Sequence, residues 1–306
     1  MTITVKKADT FGGHRDCVYA LESGATPETF FSAGADGLVV RWQLDRPDLG
    51  DLIARVPASV YALAFDPADG LLWVGQNYEG VHVIDPNQKK EVCSLKITSA
   101  AIFDIQLYRQ TAYVALSDGV VVLLNMHDFT VRRHLKASDK SARSISINPV
   151  ERELAVGYSD HTVRIFDLET NALKHTLAAH TNSVFAVRYS PDFRCLLTAG
   201  RDAHLKVWDV EAGYTESHDV VAHLFAINHV TYSPDGRWLA TASMDKAVKI
   251  WDAATFRLLK VVDRARHAGH GTSVNKLLWT AYQNQLLSGS DDRTISVWEI
   301  TETGFR

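Results

Sequence analysis

The sequence predicts an all-β fold, a seven-bladed β-propeller with four antiparallel strands per blade, as one domain over residues 1–306. Three observations predict it. A unit of about 42 residues recurs seven times along the chain. Within each unit, short runs of alternating apolar and polar residues are separated by turn-forming dipeptides. The last unit lacks the residues for a fourth strand, and the start of the chain has the alternation of a strand that could replace it.

The repeat is set by an apolar or aromatic anchor that is followed by an acidic or amide residue. Successive anchors are 42, 40, 42, 42, 43 and 47 residues apart, so seven units fill the chain. The anchors are Trp42, Ile84, Leu124, Phe166, Trp208, Trp251 and Trp298.

The sixth unit illustrates the strands within a repeat. Period-two patterns predict strands over 227–233, 238–243, 247–252 and 257–262. The tripeptide Ser-Pro-Asp, at 190–192 and again at 233–235, supplies turn chemistry between the first two strands. Four short strands per unit are typical of a propeller blade.

Four units share polar residues at fixed distances before the anchor. A His stands 28 residues before it, a Ser or Thr ten before it, and an Asp six before it. In these units the anchor itself is Trp. The sets are His14, Ser32, Asp36 and Trp42; His180, Thr198, Asp202 and Trp208; His223, Thr241, Asp245 and Trp251; and His270, Ser288, Asp292 and Trp298.

With these motifs the whole chain resembles the WD-repeat family. The resemblance implies that each set forms a buried hydrogen-bonded tetrad that stabilises its blade. The chemistry suits burial, because the indole N–H donates, hydroxyl and neutral imidazole donate and accept, and the carboxylate accepts.

The other three units depart from the pattern in a consistent way. Their anchors cannot donate a hydrogen bond, and the hydroxyl positions become Val74, Val114 and Val156. Donor and acceptor are lost together, so no unsatisfied group is expected. The His positions become Val56, Thr98 and Ser138, and the Asp positions become Tyr78, Asp118 and Asp160, the two Asp being expected in turns.

The ring must also close. Only eight residues follow Trp298, whereas a fourth strand begins about six residues after an anchor elsewhere. Residues 2–8 alternate as a strand does, with Ile3 and Val5 on one face. We therefore predict that this segment forms the outer strand of blade seven, as the resemblance also implies.

A binding surface is expected on the face where the outer strand of one blade connects to the inner strand of the next. Positions five residues after the His position should flank the central channel there. They are Tyr19, Tyr61, Phe103, Arg143, Phe185, Asn228 and Asn275. Aromatic and Arg side chains are enriched in interface hot spots, although these aromatics could instead pack between blades.

One connection is longer than the others. From Trp251 to His270 there are 19 residues, where most repeats have 14, and the extra residues fall in a basic stretch with Arg264 and Arg266. This loop could bind an acidic segment or simply be solvated. His267 and His270 have spacing compatible with a metal, but no further ligand joins them, so no metal and no cofactor are predicted.

Composition narrows the classes of function. The net charge of −4 argues against direct binding to nucleic acid. There is no signal peptide and no apolar run long enough for a membrane span, so a cytoplasmic location is expected. The three cysteines, Cys17, Cys93 and Cys195, are expected to be reduced.

These observations predict a non-catalytic scaffold for protein–protein interaction that binds a protein or peptide partner on the loop face, as a monomer or as a subunit of a hetero-complex. A propeller enzyme with an active site at the channel mouth is the alternative, and an adaptor in a nucleic-acid-associated complex is a third. A Ser, a His and an Asp together suggest a hydrolase triad. However, the set occurs four times with a Trp bound into it, and no Gly-x-Ser-x-Gly motif is present.

Overall fold

The computed structural model describes residues 2–47 and 49–303. Apart from one short helix, the regular structure of this part of the chain consists of β-strands in seven four-stranded antiparallel sheets. The predicted seven-bladed propeller is therefore confirmed. Within the sixth unit the observed strands agree with the predicted ones to within one residue at each end.

In six blades the strands follow one another in chain order from the channel outwards. The N-terminal strand is β1 Thr2–Phe11, and blade one contains β2 Val18–Ser23, β3 Thr29–Gly34, β4 Leu38–Gln43 and β5 Asp51–Arg55. Blade two contains β6 Val60–Asp66, β7 Leu71–Gln76, β8 Gly80–Asp85 and β9 Lys90–Leu95. Blade three contains β10 Ile102–Tyr108, β11 Thr111–Leu116, β12 Val120–Asn125 and β13 Val131–Lys136.

The next three blades repeat this order. Blade four contains β14 Ala142–Asn148, β15 Glu153–Tyr158, β16 Val163–Asp167 and β17 Leu173–Leu177. Blade five contains β18 Val184–Tyr189, β19 Cys195–Gly200, β20 His204–Asp209 and β21 Thr215–Val221. Blade six contains β22 Ile227–Tyr232, β23 Trp238–Ser243, β24 Val248–Asp252 and β25 Leu258–Val262.

Blade seven joins the two ends of the chain. Its inner strands are β26 Val274–Trp279, β27 Leu286–Ser290 and β28 Ile295–Thr303, and its outer strand is β1 Thr2–Phe11. β1 pairs antiparallel with β28, from Thr2 opposite Thr303 to Phe11 opposite Ile295. Ile3 and Val5 are buried in the cluster that contains Trp298. The predicted closure is confirmed, although the strand extends three residues beyond the predicted end.

The apolar core consists of seven clusters, each lying between two neighbouring blades. The first strands of adjacent blades contact one another around the channel. Each sheet thus buries both faces against its neighbours, and its polar edges are left at the two loop faces and the perimeter. We refer to the face that carries the His and Asp positions as the upper face.

Candidate functional site

The His, hydroxyl, Asp and Trp sets each form a hydrogen-bonded network, which we call the brace. In blade five, His180 Nδ1 lies 2.9 Å from Asp202 Oδ1, and His180 Nε2 lies 2.9 Å from Thr198 Oγ1. The Trp208 indole N–H donates to the same hydroxyl at 3.0 Å. Blades one, six and seven have the same contacts, between 2.7 and 3.0 Å.

Hydrogen-bonding capacity determines the direction of each donor. Because the indole N–H can only donate, the hydroxyl accepts it and then donates to His Nε2, which leaves Nδ1–H to donate to the carboxylate. The carboxylate also accepts a backbone N–H from the residue after the His, such as Thr181 on Asp202 at 2.9 Å. The brace thereby ties the loop entering a blade to the turn between its second and third strands.

In blades five, six and seven the brace carboxylate is stabilised in its charged form. Burial alone would raise the pKa of Asp245, but hydrogen bonds from His223 and from the backbone of Leu224 lower it to about 2. The same balance holds the pKa of Asp202 and that of Asp292 well below the ordinary range. Burial lowers the pKa of His223, although Asp245 opposes the shift.

The braces lack the access that a hydrolase needs. The hydroxyls of Ser32, Thr198, Thr241 and Ser288 belong to fully buried side chains. Each already accepts an indole N–H, so a substrate carbonyl cannot approach it. Within residues 2–47 and 49–303, no group of His, Cys, Asp and Glu is arranged to hold a metal ion.

Blades two, three and four replace the brace in different ways. Val74, Val114 and Val156 are fully buried beside the apolar anchors of their blades. Blade four retains part of the polar link, since Ser138 Oγ donates to Asp160 Oδ2 at 2.7 Å and Arg164 donates to the same oxygen at 2.9 Å. Asp160 therefore does more than terminate a turn, which was the role expected for it.

Blade two differs most. Its second and third strands pair as far as Gln76 opposite Gly80, so the turn is tighter than in blade five, where pairing stops at Ala199 opposite Leu205. Tyr78, at the Asp position, has a φ of 69° and a side chain that is 64% exposed. It lies near Tyr61, whose pKa it helps to raise, with burial as the larger cause.

The seven side chains expected around the channel line one cavity of about 270 Å³ on the upper face. We call these residues the channel ring. The rings of Tyr19 and Tyr61 have centroids 4.5 Å apart, and those of Tyr61 and Phe103 are 5.8 Å apart. All seven side chains are partly exposed.

Arg143 continues the row of aromatic side chains. Its guanidinium lies 4.1 Å from the centroid of Phe103 and 5.3 Å from that of Phe185, and its Nε donates to Ser159 Oγ at 3.0 Å. Burial lowers the pKa of Arg143. Five neighbouring blades thus present one continuous arc of π faces with a cation held between two of them.

The two asparagines of the channel ring make contacts between blades. Asn228 Nδ2 donates to the backbone of Val274 at 2.9 Å, and Asn275 Nδ2 donates to Val18 O at 3.0 Å and to Asp291 at 2.7 Å. Their amides are therefore engaged within the fold, and the arc from Tyr19 to Phe185 is the part of the ring that carries partly exposed aromatic side chains.

The long connection to blade seven contains the helical turn α1 Arg264–His267, not the irregular loop that was expected. Asp263 caps this turn, and its carboxylate pairs with Arg266 at 2.7 Å. Arg266 is therefore neutralised locally. Both ring nitrogens of His270 are engaged by its brace, through Asp292 and Ser288.

Charged side chains line a cavity of about 660 Å³ inside the channel, beneath the ring. Glu22 and Asp104 face Arg188 and Lys276 there. Burial raises the pKa of Glu22 to about 7 and also raises that of Asp104, with Lys276 opposing both shifts. Sequence reasoning missed this set, although Asp104 and Lys276 stand one residue, and Glu22 and Arg188 three residues, after the channel-ring position of their inner strands.

Large exposed apolar side chains on the upper face were also missed. Leu224, Phe225 and Met244 belong to blade six. Leu224 and Phe225 directly follow a brace His, which is the signal that could have identified them.

Comparison with known proteins agrees with this geometry. The family model described as "WD domain, G-beta repeat" matches residues 129–167, 171–209, 215–252 and 263–299, half of the chain. Over 68% of its own length, the chain is 22% identical to human Striatin-4. Also over 68% of its own length, it is 24% identical to Periodic tryptophan protein 2 of Saccharomyces cerevisiae. It is 25% identical to WD repeat-containing protein SL1-17 of Schistosoma mansoni over 66%.

The chain spans 31%, 21% and 54% of the length of these three relatives, respectively. Among solved structures, the WD40 β-propeller domain of Doa1 superimposes with a TM-score of 0.85 at 15% identity, covering 96% of this chain and 97% of that one. At this identity the likeness supports the fold alone. Within residues 2–47 and 49–303, no helix is both long and apolar enough to cross a membrane.

Proposed function

Because the chain belongs to the WD domain, G-beta repeat family, we propose that it is a non-catalytic scaffold that binds a peptide or protein segment at the channel ring. Propellers of this family generally serve as interaction scaffolds. A fold alone does not define a function, so the proposal rests on the site.

The arc of Tyr19, Tyr61, Phe103, Arg143 and Phe185 is the observation that supports this proposal most. Its members are partly exposed, in contact with one another and located on inner strands. Pre-ordered aromatic side chains lose little entropy when a partner binds, and a cation among them adds selectivity for an acidic group. An extended segment laid across the channel mouth would contact several of them at once.

The proposed partner is a protein or a peptide, not nucleic acid. The net charge of −4 leaves no dominant positive field for phosphates. The cytoplasm is the proposed compartment, in keeping with three cysteines that are all unpaired.

The proposal is tested by affinity purification from cells that express the chain, comparing wild type with Tyr61→Ala/Phe103→Ala/Arg143→Ala. We expect the triple variant to lose partners that the wild type retains. The matched control is Leu52→Ala/Val92→Ala/Arg133→Ala, which truncates two exposed apolar side chains and one Arg on outer strands. A folded ring variant that retained every partner would show that the channel ring is not the binding surface.

A further inference from the structure

Blade six carries an exposed apolar surface that the fold does not require. The side chains of Leu224, Phe225 and Met244 are 83%, 63% and 52% exposed. Contiguous exposed apolar side chains of this size mark interaction sites more often than isolated ones do. We call these three residues the blade-six patch.

The patch residues are held together by backbone contacts. The Leu224 N–H donates to Asp245 Oδ2 at 3.0 Å, and the Met244 N–H donates to Ala226 O at 3.0 Å. Ser243 Oγ donates to Phe225 O at 3.1 Å. The loop that enters the blade and the turn between its second and third strands are therefore neighbours, and both carry exposed apolar side chains on a backbone fixed by the brace.

Equivalent positions in the other blades are small or polar. The pairs that follow the His position elsewhere are Arg15-Asp16, Pro57-Ala58, Ser99-Ala100, Asp139-Lys140, Thr181-Asn182 and Gly271-Thr272. The positions equivalent to Met244 are Ala35, Asn77, Ser117, Ser159, Arg201 and Asp291. The other blades, braced ones included, form without large apolar residues here, so the patch is not part of blade architecture.

Positive charge flanks the patch. Lys246 follows Met244 by two residues and is exposed. On the other side, the N–H groups of Ala222 and His223 both donate to Ala203 O, which lies two residues from the exposed Arg201. Among residues 2–47 and 49–303, neither Arg201 nor Lys246 forms an ion pair within 4.0 Å. Asp245, which stands between Met244 and Lys246 in the chain, is already bound to His223.

Arg201 also links the patch to the channel ring. Its N–H donates to Ser183 O at 2.9 Å, and Ser183 Oγ donates to the backbone of Ser159 at 3.4 Å. The hydroxyl of Ser159 is the acceptor for Arg143, whose pKa is lowered by burial and then by repulsion from the Arg201 guanidinium. An acidic group placed near both would relieve that repulsion, and an apolar side chain next to it would reach the patch.

We propose that the blade-six patch docks a segment of a partner protein in which large apolar side chains stand next to acidic ones. This inference rests on the proposed function, because the patch would enlarge the binding surface proposed on the upper face. It adds the chemical class of the segment that the partner presents. Apolar contacts supply the affinity, and Arg201 and Lys246 select against basic sequences.

The test selects short random peptides displayed on phage against the full-length chain and measures the affinity of enriched synthetic peptides. We expect enrichment of sequences that combine Leu, Phe or Trp with Asp or Glu. Their affinity should fall about tenfold or more in Leu224→Ser/Phe225→Ser, because a hot spot is lost. Arg201→Glu should weaken binding and reduce its dependence on salt.

Two controls accompany these variants. Val150→Ser replaces an exposed apolar side chain in blade four, and Arg257→Glu reverses an exposed charge just before the outer strand of blade six. Both should bind the peptides as wild type does. Since all substituted side chains are exposed, unchanged near-ultraviolet circular dichroism would verify folding.

Other outcomes overturn the inference. They are enrichment of basic or purely polar peptides, no enrichment at all, or equal affinity for wild type and the patch variant. Concentration-dependent self-association that the patch variant abolishes would identify a second copy of the chain as the occupant instead. If peptides lose affinity in the ring variant but not in the patch variant, the proposed function stands and the patch inference fails; the reverse result would reject the channel ring and retain the patch.

Discussion

Blades one, five, six and seven differ from blades two, three and four in how the same place in the fold is filled. The former bury a polar brace, and the latter bury a Val in the same core cluster as the Ile, Leu or Phe anchor of the blade. Both arrangements leave no buried group unsatisfied at this place, because the indole donor and the hydroxyl that accepts from it are either both present or both missing. The comparison teaches that the Trp and the hydroxyl are replaced together, whereas blade four keeps the Ser138–Asp160 link without them.

The largest expected difference between the blades with a brace and the blades without one is the sensitivity of their stability to acid. In the folded protein the pKa of each of Asp202, Asp245 and Asp292 is lowered. Their stabilisation is therefore present above the pKa of about 4 for an unfolded Asp and is lost as the pH falls through the folded value, about 2 for Asp245. His223, with a lowered pKa, adds a loss as the pH falls below about 6.5.

Urea denaturation between pH 7 and pH 2 would measure this loss. We expect the free energy of unfolding to decrease with acid, most steeply below pH 4, and Asp245→Asn to make that decrease shallower because an amide does not titrate. An Asp245→Asn variant with the wild-type slope would separate the brace carboxylate from acid stability.

Replacing a hydroxyl by a methyl group in a braced blade, or a methyl group by a hydroxyl in an unbraced one, should lower the free energy of unfolding. Thr198→Val leaves the Trp208 N–H and His180 Nε2 without a partner, and we expect a loss of about 1–3 kcal/mol in the free energy of unfolding. Val156→Thr buries a hydroxyl beside Phe166, with an expected loss of about 1–2 kcal/mol.

The matched control is Thr176→Val on an exposed outer strand, where the expected change is within about 0.5 kcal/mol. If Val156→Thr were neutral, a lone hydroxyl would be tolerated in blade four. The requirement that the Trp and the hydroxyl occur together would then be wrong.

The sequence was sufficient for the ring of blades, because the anchor spacing and the alternation of Ile3 and Val5 are local patterns. It was insufficient where the contacts of a side chain depend on a neighbouring blade. The amides of Asn228 and Asn275 are engaged by adjacent blades, which their own repeats do not reveal. The helical turn that begins at Arg264 is too short to produce a periodic pattern.

Exposure was the other quantity that spacing could not provide. Leu224 and Phe225 follow a buried His in the chain, yet their side chains are exposed to solvent. Their backbone groups are held by hydrogen bonds, from the Leu224 N–H to Asp245 and from Ser243 Oγ to Phe225 O. An alternation rule places residues on faces of a strand but does not describe a loop between strands. The blade-six patch therefore became evident only from the structure.

The smallest expected effect concerns the turn of blade two. In the blades with an Asp at this position, the left-handed residue is the next one, such as Ala203 in blade five, whereas in blade two it is Tyr78 itself. Asn tolerates this conformation better than Tyr does, and the Tyr78 side chain is mostly exposed. Tyr78→Asn should therefore raise the free energy of unfolding by about 0.5 kcal/mol, while Tyr78→Phe should leave it unchanged. A loss of stability in Tyr78→Asn would instead mean that the tyrosine ring packs usefully against Tyr61, and that the upper face of blade two is stabilised by the same aromatic row that we propose for binding.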